Sequence, residues 1–279
     1  MMNQLIFKKK IKKWFLLRSL ILFNIANAES SIDWEFKSRP EVTEAYAKKI
    51  ESDDILQFTN EPLFVSLGSN CGPAVMMYFC DIRRAAFPLD GIYSMDGEKV
   101  IELLEDSFSR FIDEQFMDIY REYPINTYYH LQFVHENGWN DANHSEKLLN
   151  FKETFTRRIK RFKKLNAYPG KVYFFRSAFA QINDPYAVTG WFFPDNVEIS
   201  DEYALRLMHT LEKIFPNLDF SLIIINHSDR GHLEIEKSIG RILKVRTLTF
   251  PLATFEAMSP FYMKLFRSLI EGSIETEPR

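Results

Sequence analysis

The strongest constraint on the fold lies in the second half of the chain, where short and almost wholly apolar runs alternate with stretches of helical period. Lys171 to Phe175 (KVYFF), Phe220 to Asn226 (FSLIIIN) and Leu243 to Phe250 read as strands, and Tyr203 to Phe215 reads as a helix. A strand without polar alternation is buried on both faces, and strands separated by helices lie parallel. The expected fold is therefore α/β, a mainly parallel sheet with helices on both faces in a single domain. Ligands on such sheets bind beyond the carboxyl ends of the strands.

The first half supplies one more strand and its helices. Leu63 to Leu67 (LFVSL) is a short β run that turns through Gly68-Ser69-Asn70 into a helix over Ala74 to Phe79, with Pro73 in its first turn. Glu98 to Phe116 carries a helical stripe of Val100, Ile101, Leu103, Leu104, Phe108, Phe111 and Ile112. Thr127 to Val134 reads as a strand, and Ser145 to Leu165 as a long helix with Ser145 as N-cap. The basic run Arg157, Arg158, Lys160, Arg161, Lys163 and Lys164 reads as a solvated face near that helix's C-terminal dipole. Glu41 to Leu56 reads as an amphipathic helix outside the main body.

The N-terminus reads as a secretory signal. Lys8, Lys9, Lys10, Lys12 and Lys13 form a basic region, Trp14 to Ile25 an apolar one, and Ala26-Asn27-Ala28 a small-x-small cleavage site. The division expected is a signal peptide over 1–28, a helical extension over 29–61 and the α/β domain over 62–279, in a secreted or periplasmic protein. That twelve-residue stretch, interrupted by Arg18, Ser19 and Asn24, falls short of the ~20 residues a spanning helix needs, and no later segment qualifies, so no stable membrane insertion of the mature chain is expected. Six of the 35 basic residues and none of the 38 acidic ones fall within 1–28. The remainder is acidic overall, which argues against nucleic acid as a partner.

Chemistry concentrates in Ser66 to Ala74 (SLGSNCGPA). With Asn70 as N-cap, Cys71 enters the first helical turn, where unpaired N–H groups and the helix dipole favour a thiolate. The backbone N–H of Cys71 or Gly72 is positioned to bind a developing oxyanion, while the alternative is a small buried Cys under the sheet. Cys80, amid Met77, Tyr78 and Phe79, reads as a core residue. If the two Cys bracket a helix they stand roughly 13 Å apart, beyond the roughly 7 Å Cα limit for a disulfide. A Cys nucleophile needs an imidazole to take its proton and a carboxylate or amide to orient the ring. His135, beside Glu136, and His227, after Asn226 on the presumed ligand edge, are the two candidates, and Asn226 is a candidate orienter. His227-x-Asp229-x-x-His232 also admits a metal reading, but Ser228 to Gly231 is an ordinary polar turn. No dinucleotide or Walker motif is present, so no cofactor is expected.

The segments SLGSNCGPA, IRRAAFPLDGI (82–92), FVHEN (133–137), FTRRIKRF (155–162), KVYFFRS (171–177) and LIIINH (222–227) occur in this order. Together they resemble a bacterial family of unknown function described as papain-like cysteine peptidases. The resemblance implies a nucleophile at Cys71, an acid at Asp90, and functional histidines at His135 and His227. Leu89-Asp90-Gly91 stands where the family has Phe-Asp-Trp, and Glu136-Asn137 where it has Asp-Phe. The expected function is a cysteine hydrolase or acyl transferase acting on an amide or thioester of a peptide or acyl substrate. The alternative is a non-enzymatic secreted or host-interaction protein with a structural Cys turn.

Overall fold

The computed structural model describes residues 51, 55, 61–136, 138–139, 143–179, 188, 191, 198–249 and 253–274. The expected signal peptide and most of the 29–61 extension lie outside them. Five strands form one mixed sheet: β1 (Leu63–Ser66), β5 (Val172–Ser177), β6 (Phe220–His227), β8 (Ile242–Thr247) and β7 (Glu234–Ile239), in that order. The first four run parallel and β7 closes the far edge antiparallel to β8. The α/β architecture read from the apolar runs is what the chain adopts. β5 is buried along its whole length and β6 up to its last residue, whereas edge strand β7 carries exposed Glu234 and Lys237, charges that discourage pairing with another chain.

Side-chain alternation divides the core into two layers. Leu63 and Val65 of β1, Val172 and Phe174 of β5, and Leu222 and Ile224 of β6 face α2 (Gly97–Glu105), α3 (His144–Lys164) and α4 (Asp201–Ile214). Phe64, Tyr173, Phe175, Ile223, Ile225, Leu243 and Val245 face the other way, toward α1 (Gly72–Phe79) and α5 (Phe255–Ile270). Each aromatic or branched side chain so buried contributes about 1.5–3 kcal/mol of transfer free energy. Among the described residues no helix is long and apolar enough to cross a membrane.

Several local expectations are corrected. The helix expected over Glu98 to Phe116 ends at Glu105, because Ser107 and Phe108 turn left-handed (φ 60° and 65°); Phe108 and Phe111 still bury, from a turn. In place of a strand over Thr127 to Val134, the chain forms a second, three-stranded antiparallel sheet of β2 (Met117–Tyr120), β3 (Tyr123–Asn126) and β4 (Leu131–Gln132). The turn between β3 and β4 is held by the Asn126 side chain, which accepts from the N–H groups of Tyr128 and Tyr129. Ser145 lies inside α3, whose cap is Asn143. The basic run on α3 is not uniformly solvated: Arg161 is fully buried and donates to the carbonyls of Ala86 and Glu51. Glu51 also pairs with Arg158, and Ile55 is buried in the main core, so these two residues of the expected outlying helix pack on the domain.

Candidate active site

Cys71 lies five residues beyond β1 and occupies the N-cap of α1 (φ −77°, ψ −13°), its sulfur making no capping hydrogen bond. The turn that delivers it passes through two left-handed residues, Gly68 (φ 76°) and Ser69 (φ 81°), a conformation a residue with a Cβ holds only under constraint. The constraint is visible. Ser69 N–H donates to Ser94 Oγ at 2.7 Å and Ser94 N–H returns to Ser69 O at 3.3 Å. Buried Arg176 donates to Leu67 O (3.0 Å), Ser94 Oγ (2.8 Å) and Ser94 O (2.6 Å). A methyl group on Gly68 would stand 2.3 Å from Ser94 Oγ, so only glycine fits.

Asn70 is the capping side chain, as expected, although the geometric cap falls one residue later. Its Oδ1 accepts from Gly72 N–H at 2.7 Å and its Nδ2 donates to Ala178 O at 3.3 Å, across the end of β5. This commits the Gly72 N–H, one of the two backbone donors expected to serve an oxyanion. Cys71 is 5% exposed. No disulfide joins it to Cys80, whose thiol is pushed up to about 12 by burial and is chemically inert near neutrality.

His227 ends β6 on the same sheet face as Ile223 and Ile225, which is the α1/α5 face. β5 alone separates β6 from β1, so His227 and the Cys71 turn rise from strands two spacings apart, about 10 Å at about 5 Å each. The imidazole is held at both nitrogens. Nδ1 lies 3.0 Å from Thr249 Oγ1 and 3.3 Å from Thr249 N–H, and Nε2 lies 3.0 Å from Asp229 Oδ1. The Thr249 hydroxyl accepts a hydrogen bond from a protonated Nδ1, and the Thr249 amide donates one to an unprotonated Nδ1, so Thr249 serves either tautomer. Asp229 is 96% exposed and is the exchangeable partner.

Asn226, next in the chain, points to the opposite face. Its Oδ1 accepts from Ile199 N–H at 2.9 Å and its Nδ2 donates to Glu236 Oε2 at 3.1 Å, so it orients neither imidazole.

Asp90 and His135 form a second cluster. Asp90 Oδ2 accepts from Arg83 Nη2 at 2.7 Å and Phe87 N–H at 3.0 Å. The His135 ring lies against Gly91 (φ 70°), where an added Cβ would be 2.6 Å from its Cδ2. Gly91 thus makes room for the imidazole. Among the described residues the ring makes no hydrogen bond. Burial first, then the Arg83 and Arg158 cations, hold His135 below the usual histidine pKa, so it is neutral near pH 7. Elsewhere, His232 pairs with Glu234 at 3.5 Å rather than with His227.

Thr249 and Tyr262 were not visible as site residues in the sequence. Thr249 meets His227 only because β6 pairs with β8 in the register His227 to Thr247. Tyr262, on α5, is fully buried, and burial together with the neighbouring Cys71 raises its pKa above the usual tyrosine value. No local spacing marks either residue.

Fold and site define an α/β protein that presents a cysteine, at a helix cap, on the carboxyl edge of a mainly parallel sheet, two strands away from a strand-end histidine. Residues 62–230 match a sequence model of the family described as "Putative papain-like cysteine peptidase", and the chain belongs to that family. It is also similar to an uncharacterised protein of Acanthamoeba polyphaga mimivirus, 25% identical over 142 residues and covering 43% of this chain. The chain spans 64% of that relative's length, less than two thirds. No solved structure matches.

Proposed function

We propose that this protein is a secreted cysteine hydrolase or acyl transferase with Cys71 as nucleophile and His227 as general base. One observation carries the reading: Cys71 caps α1 at the same edge and on the same face of the sheet as His227, whose Nδ1 is steadied by Thr249. In the reaction, Nε2 of His227 exchanges its contact with Asp229 for the Cys71 thiol and takes its proton. The thiolate attacks a carbonyl carbon, the C=O electron pair moves to oxygen, and collapse expels an amine or thiol that carries away the proton from the imidazolium. Water or an acceptor, deprotonated by the same imidazole, then releases the acyl group and restores the thiol. Peptide and acyl-thioester substrates both suit this chemistry.

His135 is the competing base. It is neutral, and its ring makes no hydrogen bond among the described residues, which favours it chemically. Its cluster is tied to Arg83, beyond the C-terminal end of α1, whereas Cys71 caps the start of that helix.

The test is acylation by p-nitrophenyl acetate. The expected result is a burst of nitrophenolate with one acetyl group on Cys71, abolished in Cys71→Ala and slowed at least 100-fold (about the lower end of general-base effects) in His227→Ala but not His135→Ala. Acetylation confined to lysines overturns the enzyme reading, and the reverse ranking of the histidine variants overturns the choice of base. Export belongs to the same proposal, and a secreted form beginning at Glu29 is its expected signature.

A further inference from the structure

The α1/α5 face holds a group of buried hydroxyls that the reaction above does not use. Ser177 at the end of β5, Thr247 at the end of β8, and Ser259 and Tyr262 on α5 each end in a buried oxygen without a hydrogen-bond partner among the described residues. Strand alternation puts Ser177 and Thr247 on the same face as Phe175 and Val245, the face that α5 covers. Buried hydroxyls are ordinarily paired, so four unpaired ones on one face call for an explanation.

Their height along the sheet can be read from α5, which runs antiparallel to β5. The carbonyl of Leu269 accepts from Tyr173 Oη at 2.9 Å, near the start of β5, and the Phe266 ring lies 5.5 Å from that of Phe175, further along it. One helical turn earlier, about 6 Å at 1.5 Å per residue, Tyr262 stands level with Ser177, and Ser259 nearly a turn beyond. The Cys71 turn reaches the same level, since Asn70 is bonded to Ala178 O. Consistent with this placement, Cys71 is the neighbour that, after burial, raises the Tyr262 hydroxyl pKa. The first turn of α1 is meanwhile short of donors: Gly72 N–H is bonded to Asn70, and Pro73 has none.

We propose that these hydroxyls form the acyl subsite of the Cys71 centre, with the Tyr262 O–H donating to the carbonyl oxygen as it becomes an oxyanion. Resting as it does on Cys71 as nucleophile, the proposal narrows the substrate class. A subsite lined by Ser177, Thr247 and Ser259 takes a peptide-like acyl group, whose amides satisfy those hydroxyls, in preference to an alkyl chain, which would leave them unpaired. Tyr262 keeps its proton throughout and supplies a hydrogen bond, while His227 handles proton transfer.

Aldehydes test this without a known substrate. An aldehyde and the Cys71 thiol form a reversible hemithioacetal: a C–S bond forms, and the thiol proton ends on the former carbonyl oxygen, which receives the Tyr262 hydrogen bond. Binding is read as protection of Cys71 from iodoacetamide, followed by mass spectrometry, with acetyl-dialaninal and octanal as probes. In the wild type the peptide aldehyde should protect at a concentration at least tenfold below octanal. Tyr262→Phe should raise the protecting concentration of the peptide aldehyde at least tenfold while leaving alkylation without aldehyde within twofold. Thr247→Val should narrow the gap between the two aldehydes.

Preference for octanal, or unchanged protection in Tyr262→Phe, overturns the subsite. An equal loss of alkylation and protection in a folded Tyr262→Phe protein also overturns it, because Tyr262 would then act only through packing. Failure of the underlying reading looks different: wild-type Cys71 would resist iodoacetamide at neutral pH with no aldehyde present.

Discussion

The two faces of the sheet treat their polar residues in opposite ways, and adjacent residues of one strand show it best. Arg176 and Ser177 end β5, and Asn226 and His227 end β6. Arg176 and Asn226 face α2, α3 and α4, where they bond to Ser94, Leu67, Ile199 and Glu236. Lys244 and Arg246 of β8 belong to the same side, tied to Asp201 and to Glu236 and Glu198. Ser177 and His227 face α1 and α5, where Ser177 and three other hydroxyls have no partner among the described residues and the histidine rests on an exposed carboxylate. At the ends of β5 and β6 the polar groups of the first face hold the fold, and those of the second stay available for a ligand.

Substitutions along β5 and β6 should separate these roles, and the largest effect belongs to Arg176→Met. It strips Leu67 O and Ser94 of their donor and loosens the Cys71 turn, so urea denaturation should show a loss of about 3 kcal/mol or more. Its neighbour Ser177→Ala removes an unpaired hydroxyl and should be neutral or stabilising within about 1 kcal/mol. Equal losses for the two would erase the contrast between the faces. Asn226→Leu should cost about 2 kcal/mol by stranding Ile199 N–H, whereas His227→Ala should move stability little and acylation greatly.

Next in size is Gly68→Ala. With a left-handed φ and a Cβ 2.3 Å from Ser94 Oγ, it should cost about 2 kcal/mol and lower Cys71 reactivity by displacing the turn. Preserved stability and reactivity would show that Ser94 does not fix the turn.

The smallest expected effect is a pH dependence from His135. Its pKa is lowered in the folded state, so the unfolded chain binds the proton more readily. The contribution to stability is therefore complete above about pH 6.5 and is lost as pH falls from there through the folded-state value. His135→Gln should flatten the stability curve over that window. An unchanged curve would mean that neither burial nor the Arg83 and Arg158 cations act on the ring.

The same contrast explains what the sequence made legible. The parallel sheet was readable because both faces of β5 and β6 are apolar, a property local to each strand. The Cys71 turn was readable because Gly, Asn and Pro each mark a backbone conformation. The division of labour between Asn226 and His227 follows from strand alternation, but which face carries α1 is settled only by packing. Thr249 and Tyr262 depend on pairing between β6 and β8 and on the seating of α5, contacts between residues far apart in the chain. The over-long helix at Glu98 was a true burial pattern with the wrong backbone, since Phe108 and Phe111 reach the core from a left-handed turn.

The central claim is that the α1/α5 face makes Cys71 a nucleophile. It is tested most directly by the pH profile of Cys71 alkylation by iodoacetamide in the wild-type protein, followed residue by residue, with buried Cys80 as internal control and a small free thiol as reference. The expected result is that Cys71 reacts at pH 6 at least tenfold faster than the reference thiol, whose pKa is about 8.5, while Cys80 stays unmodified. A Cys71 that reacts no faster than the reference at pH 6 would contradict the claim and leave the cysteine a structural part of its turn.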